Sequence, residues 1–250
     1  MNNPYEGLKA IVSGGGAGIG LAIVQAFLQR GMHVGALDLN TEGVPKEAVA
    51  YTVDVRDEHQ VNQAIEDFAR TQGGIDILVN NAGISYEGRV EDKDLADWLP
   101  MFDINVVGYA RCTRAALPYL KQSRAASIIN MASCTAASGL RRRVLYTATK
   151  GAILSMSRAM AADLLHEGVR VNAVNPGTVD TPFISTLVAR APDPDAQLLA
   201  YKNRQPTGFL VQSQEVAEAV VYLAHPNAKS TSGTTLTVDG GMDSLLLFDL

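Results

Sequence analysis

Only two cysteines, Cys112 and Cys134, occur in 250 residues, and the four histidines (His33, His59, His166 and His225) are scattered without ligand spacing. These scarcities exclude a disulfide framework and leave no metal pattern; a reducing interior, and hence a cytoplasmic location, is the expectation. Positive charge is also short. The 21 Lys and Arg against 26 Asp and Glu leave a net charge of −5, a poor balance for a nucleic-acid or anionic-membrane surface. No run of about 18 apolar residues exists, so no membrane-spanning helix is expected. The opening stretch MNNPYEGLKAIVSGGG lacks a basic region ahead of an apolar run, so no signal peptide is expected either. Aromatic residues reach only 6%, but hydrophobic residues in all reach 47%. That is enough for a large aliphatic core and too much for a disordered chain. The length suits one large α/β domain over residues 1–250.

Short β-rich apolar runs alternate with longer amphipathic stretches. Strands are predicted at LKAIVSG (8–14), HVGALDL (33–39), VAYTVDV (49–55), DILVNN (76–81), SIINMAS (127–133), VRVNAVNP (169–176) and TLTVDGG (235–241). Several are apolar nearly throughout, as strands covered on both faces are. Helical patterns fall near 18–30, 57–72, 103–122, 145–167 and 214–224. The alternation predicts a doubly wound Rossmann fold, a seven-stranded parallel sheet with helices on both faces. The link 40–48 carries Gly43 and Pro45 and is too short for a crossover helix. Residues 182–208, with four prolines, interrupt the alternation and read as a helical excursion over the sheet edge.

Gly14, Gly15, Gly16, Gly18 and Gly20 sit between the first strand and the first helix. Their spacing differs from the G-x-G-x-x-G dinucleotide fingerprint, yet the physics is shared. Without side chains, backbone amides and a helix N-terminus approach a pyrophosphate closely. Asp38 ends the second predicted strand, where a carboxylate accepts hydrogen bonds from a ribose diol and repels a 2′-phosphate. Neither Leu39 nor Ala17 supplies compensating positive charge, so NAD is expected over NADP.

In order along the chain, SGGGAGIG (13–20), Asp54-Val55, NNAG (80–83), Asn105 in FDINVVG, Ser133 in INMASC, YTATK (146–150) and NPGTVDTPF (175–183) resemble the motifs of the short-chain dehydrogenase/reductase family. Each motif alone is weak; the ordered set is specific and spans essentially the whole chain. The resemblance implies a catalytic set of Asn105, Ser133, Tyr146 and Lys150. It places the cofactor against Ser13, Gly14, Gly16, Gly18, Ile19, Asp38, Leu39, Asp54, Val55, Asn81, Ala82, Gly83, Tyr146, Lys150, Pro176, Gly177, Val179 and Thr181. It also implies a homotetramer, and that Asn105 holds water linking Lys150 to solvent. A phenol with pKa near 10 is a poor base at neutral pH, and bringing it to about 7 means ~4 kcal/mol in favour of the phenolate. Lys150, four residues along a helix from Tyr146, is expected to supply that charge, with Ser133 holding the substrate oxygen.

Three arginines, Arg141 to Arg143, precede the tyrosine. Arg143, three residues before it, is expected to point into the substrate pocket, and Arg141 and Arg142 to stay at the surface. The stretch 175–208 resembles that of type 2 (cytosolic) 3-hydroxybutyrate dehydrogenases and bacterial 2-keto-3-deoxy-sugar-acid dehydrogenases. In that branch arginines at the positions of Arg143 and Arg204 bind the acid group, while a third basic position falls on Leu187 here. The expected substrate is therefore a small carboxylated alcohol held by Ser133, Arg143, Tyr146 and Arg204, with no metal. Two rivals are an NADPH-dependent 3-oxoacyl-carrier-protein reductase and a dinucleotide-binding regulatory protein without turnover. Finally, the apolar end around Leu245, Leu246, Leu247 and Phe248 is expected to dock on its own sheet or on a neighbouring subunit.

Overall fold

A computed structural model describes residues 3–246. The elements run β1 (Lys9–Ser13), α1 (Gly18–Leu28), β2 (His33–Asp38), β3 (Val49–Thr52), α2 (Glu58–Gln72), β4 (Ile77–Asn80), α3 (Leu95–Phe102), α4 (Gly108–Leu120), β5 (Ser127–Met131), α5 (Val144–Leu164), β6 (Arg170–Pro176), β7 (Val179–Asp180), α6 (Pro182–Ala189), α7 (Pro194–Lys202), β8 (Val211–Gln212), α8 (Ser213–Ala224) and β9 (Thr235–Val238). Seven strands form one sheet in the order β3-β2-β1-β4-β5-β6-β9. Every pairing in it is parallel. All seven predicted strands are present. β4, β5 and β6 are buried at every position, as strands covered on both faces are, and polar residues within β5 and β6 (Asn130, Arg170 and Asn172) are hydrogen-bonded inside the protein.

Two aliphatic layers bury the two faces. On one, α1 and α8 pack Ile23, Phe27, Val216 and Val220 against Val12, Val34 and Ile129. On the other, α2, α4 and α5 pack Ile65, Phe68, Ala116 and Leu164 against Ile11, Leu78 and Ile128. α2 shows the local logic of a bounded helix. Asp57 accepts from the amides of His59 and Gln60 at its start, and Gly73 ends it in the left-handed region at φ 79°.

The link 40–48 forms turns only, as its composition implies, and two features depart from the predicted pattern. Residues 95–102 form α3, which the sequence hides because Pro100 sits inside it. The predicted helix 103–122 is split by a π-helical turn at Asp103–Val107, inside which Asn105 lies. The excursion 182–208 holds α6 and α7, and the short parallel pair β7–β8 clips its two ends together. Of the apolar end, Leu245 and Leu246 are 56% and 83% exposed, so this part does not dock on its own sheet as expected. Leu247 and Phe248 lie outside the described residues. No helix among the described residues is long and apolar enough to cross a membrane.

Candidate active site

Strand order reverses between β1 and β4, so the crossovers diverge there and open a crevice at the carboxyl ends of the strands. A cleft of about 730 Å³ occupies that crevice. It is lined from the ends of β1 (Gly14), β2 (Asp38), β4 (Asn81), β5 (Ser133) and β6 (Pro176). Of the sequence-predicted residues, Gly18, Ile19, Leu39, Asp54, Val55, Ala82, Gly83, Arg143, Tyr146, Lys150, Gly177, Val179, Thr181 and Arg204 also face it. Ser13, Gly16 and Asn105 stand behind the lining.

The glycine turn is shaped by close approach. Gly14 lies at φ 66°, and a Cβ there would come within 2.8 Å of the Ala82 Cα. A Cβ on Gly20 would collide with the Gly14 carbonyl. Ser13 fastens the turn to the β4 loop: its Oγ accepts from the amides of Asn81 and Ala82 at 3.0 and 3.2 Å. In return the Asn81 side chain donates to the carbonyls of Ser13 and Gly14. Gly16 holds Asp38 by donating its amide to Oδ2 at 2.9 Å, and the Asn40 amide donates to Oδ1. The carboxylate is thereby fixed, half-buried, at the cleft edge. α1 begins without an acidic residue or a side-chain cap, leaving its first amides free for an anion. A side-chain-free cradle, open helix amides and a fixed carboxylate together fit a dinucleotide. At the far end Arg56 donates to both oxygens of Asp54, and this pairing holds the Asp54 carboxyl below the usual range.

At the other end, α5 presents Tyr146 in its first turn and Lys150 one turn later. The Lys150 ammonium lies 5.7 Å from the Tyr146 ring centre and 5.5 Å from that of Tyr109. It donates to the Met131 carbonyl at 2.8 Å, and the Tyr109 hydroxyl donates to the same oxygen at 3.1 Å. Ser133 accepts from the amide and the hydroxyl of Thr135, so its own proton is left free to donate into the cleft. Asn105 spends its side chain on protein: Oδ1 accepts from the Ile84 amide, and Nδ2 donates to the Ile84 carbonyl and to Thr149.

Within the chain alone, the phenol is not brought toward neutrality. Burial dominates and pushes Tyr146 up to about 12, with the Ser133 hydroxyl and then Arg143 acting in the lowering direction. Burial also pushes Lys150 down to about 8, because an ammonium stripped of water is costly. The thiol of Cys134, beside Ser133, is pushed up to about 11, chiefly by burial, and is no nucleophile.

Arg143 is buried, whereas Arg141 and Arg142 are exposed. Its Nη1 donates to Ser85 Oγ and the Tyr86 carbonyl, and its Nη2 to Glu87 at 3.1 Å. Arg204 stacks on the Tyr201 ring at 4.4 Å. Desolvation, and after it the charge of Arg143, weakens its hold on its proton. Leu187, at the third basic position of the branch, is half-buried, and Arg190 is exposed. Four residues that shape the site escaped the sequence: Thr135, Tyr109, Glu87, and Gln205, whose buried amide accepts from the Thr178 amide and donates to the Phe209 carbonyl. Only Tyr109 left a trace, as an aromatic one helical turn after Asn105.

Comparison with known proteins identifies the family. Residues 14–243 match a family described as Enoyl-(Acyl carrier protein) reductase. Among curated relatives, L-fucose dehydrogenase of Bos taurus is 37% identical, over 97% of this chain and 92% of that enzyme. The 2-keto-3-deoxy-L-fuconate dehydrogenase of Xanthomonas campestris is 35% identical, over 96% and 81%. Among solved structures, Thermoplasma acidophilum aldohexose dehydrogenase superposes with a TM-score of 0.93 at 30% identity, covering 100% of this chain and 99% of that one. A structure of ElxO with NADP bound gives 0.87 at 27% identity, covering 95% and 99%. The chain belongs to the short-chain dehydrogenase/reductase family, oxidoreductases that act on CH–OH groups with a nicotinamide dinucleotide.

Proposed function

We propose that this chain oxidises a secondary hydroxyl of a small hydroxy acid or deoxy-keto sugar acid with NAD, and reduces the corresponding ketone in reverse. The observation that carries the reading is the pair of desolvated guanidiniums, Arg143 and Arg204, sharing a cleft with Ser133 and Tyr146. Two such cations repel each other, and a carboxylate between them relieves both that repulsion and their lost hydration. The fixed Asp38 favours NAD. Among the described cleft residues at that end the cation is Arg56, already paired with Asp54, so a 2′-phosphate would meet a carboxylate without a free guanidinium.

The bound nicotinamide supplies the hydride acceptor and, when oxidised, a positive charge beside the phenol. The chain does the rest. Arg143 and Arg204 hold the acid group and so set the position of the carbinol. The Ser133 proton, free of Thr135, meets the substrate oxygen. Tyr146 takes the hydroxyl proton as the hydride departs, and returns it in reduction. Lys150 stabilises the phenolate from below. Tyr109 and Met131 hold that ammonium in place.

Replacing either arginine tests the substrate class. Arg143→Ala and Arg204→Ala should each raise KM for acids by about 10-fold or more, the worth of a charge-assisted hydrogen bond, while neutral alcohols change little. Equal changes for acids and neutral alcohols would remove the carboxylate from the account.

A further inference from the structure

Glu87, half-exposed and not itself in the cleft lining, is shared among the arginines. Its Oε2 accepts from Arg143 at 3.1 Å, its Oε1 is 3.7 Å from Arg142, and its charge also acts on Arg204. Asp92 lies 3.6 Å from Arg142. Nearby, Arg89 is paired with Glu91 and Lys93 with Asp97, so neither pair alters the local balance. Three guanidiniums (Arg142, Arg143 and Arg204) are thus set against two carboxylates (Glu87 and Asp92), and one positive charge is left over in this cluster, apart from the Lys150 ammonium under Tyr146. The backbone keeps this arrangement in register: the Gly88 amide donates to the Arg142 carbonyl at 2.7 Å, and Gly88 pairs with Arg143 as an isolated bridge.

We infer that Glu87 is a specificity-determining residue that trims the arginine cluster to a single excess charge, so that the cleft selects a monocarboxylate over a dicarboxylate or a neutral molecule. This rests on the carboxylate reading above and deepens it. One bound carboxylate completes the neutralisation. A second anionic group finds no free guanidinium and feels the charge of Glu87 through Arg143 instead, which raises its desolvation cost without return. Arg143 has capacity for the ligand without releasing Glu87. Three of its five N–H groups are on Ser85, Tyr86 and Glu87, which leaves hydrogens on Nε and Nη2, adjacent nitrogens of the fork that a carboxylate matches.

The test is calorimetric titration of the NADH-loaded protein at low ionic strength with butyrate, succinate and butyramide. These probes carry one, two and no charges and need no turnover. The native chain should bind butyrate more tightly than either of the others. Glu87→Gln, at a half-exposed position, should raise succinate affinity relative to butyrate by about tenfold, the scale of one unit charge acting near a protein surface. Adding Arg142→Gln restores the excess to one charge and should return the native ratio; a purely steric or folding role for Glu87 predicts no such rescue. An unchanged succinate-to-butyrate ratio in Glu87→Gln overturns this inference alone, and so does failure of the double variant to restore it. Butyrate binding no tighter than butyramide in the native chain overturns the carboxylate reading and the inference together.

Discussion

Tyr146→Phe should lower turnover by about 10²–10⁴-fold, the range for a lost general acid–base group, while NAD affinity stays within about twofold. The split follows from where the oxygen sits. In the proposed reading the glycine cradle, Asp38 and the β6 segment would hold the dinucleotide independently of the phenolic oxygen, and the ring that remains keeps its packing at the start of α5. Steady-state rates beside a fluorescence titration of NADH check it. An equal loss of binding and turnover would make Tyr146 a structural residue. In the native chain, oxidation should accelerate as pH rises above neutrality, because the phenol must ionise and burial holds it protonated.

Lys150→Met should nearly abolish turnover and yet stabilise the cofactor-free protein by about 2 kcal/mol at pH 7. A pKa pushed from 10.5 to about 8 corresponds to about 3 kcal/mol spent on keeping a buried ammonium charged, from which about 1 kcal/mol is subtracted for the hydrogen bond to Met131. The Met131 carbonyl keeps the Tyr109 hydroxyl as a donor, so the variant leaves no orphaned acceptor there. The sign with pH is definite. Between pH 8 and 10.5 the unfolded chain holds the lysine proton and the folded chain has released it, so the lysine penalty fades as pH rises. Tyr146 acts in the opposite sense only from about pH 10 upward. Denaturant midpoints of native and variant proteins should therefore differ most at pH 7 and converge toward pH 10. A destabilised variant at pH 7, or a constant difference across that range, would contradict the buried-cation account.

The sheet was legible because burial on both faces leaves short apolar-rich runs, as in β1 and β4, between longer amphipathic stretches. The glycine turn was legible for a different reason. Gly14 and Gly20 sit where a Cβ has no room, and Asp38 stands at the strand end where the chain turns out of the sheet. What stayed hidden depends on contacts between distant segments. Glu87 meets Arg143 across 56 positions, and nothing in the spacing of either residue announces the pair. α3 was masked by Pro100, and the π turn around Asn105 by a helical period that continues on both sides of it. The desolvation of Tyr146 and Lys150 was not legible, because spacing places one a helical turn from the other but says nothing of how much water each group loses. Ser133 was legible by motif, but its orientation is set by Thr135, two residues on and outside any motif.

The most direct test of the account is NADH formation by the purified chain with NAD and matched pairs of hydroxy or sugar acids and their uncharged counterparts, followed from neutral to alkaline pH. The account predicts NADH with at least one acid, a lower KM for that acid than for its neutral counterpart, and a rate that climbs with pH. NAD that binds normally but is reduced with no member of the panel, or a pH-independent rate, would contradict it.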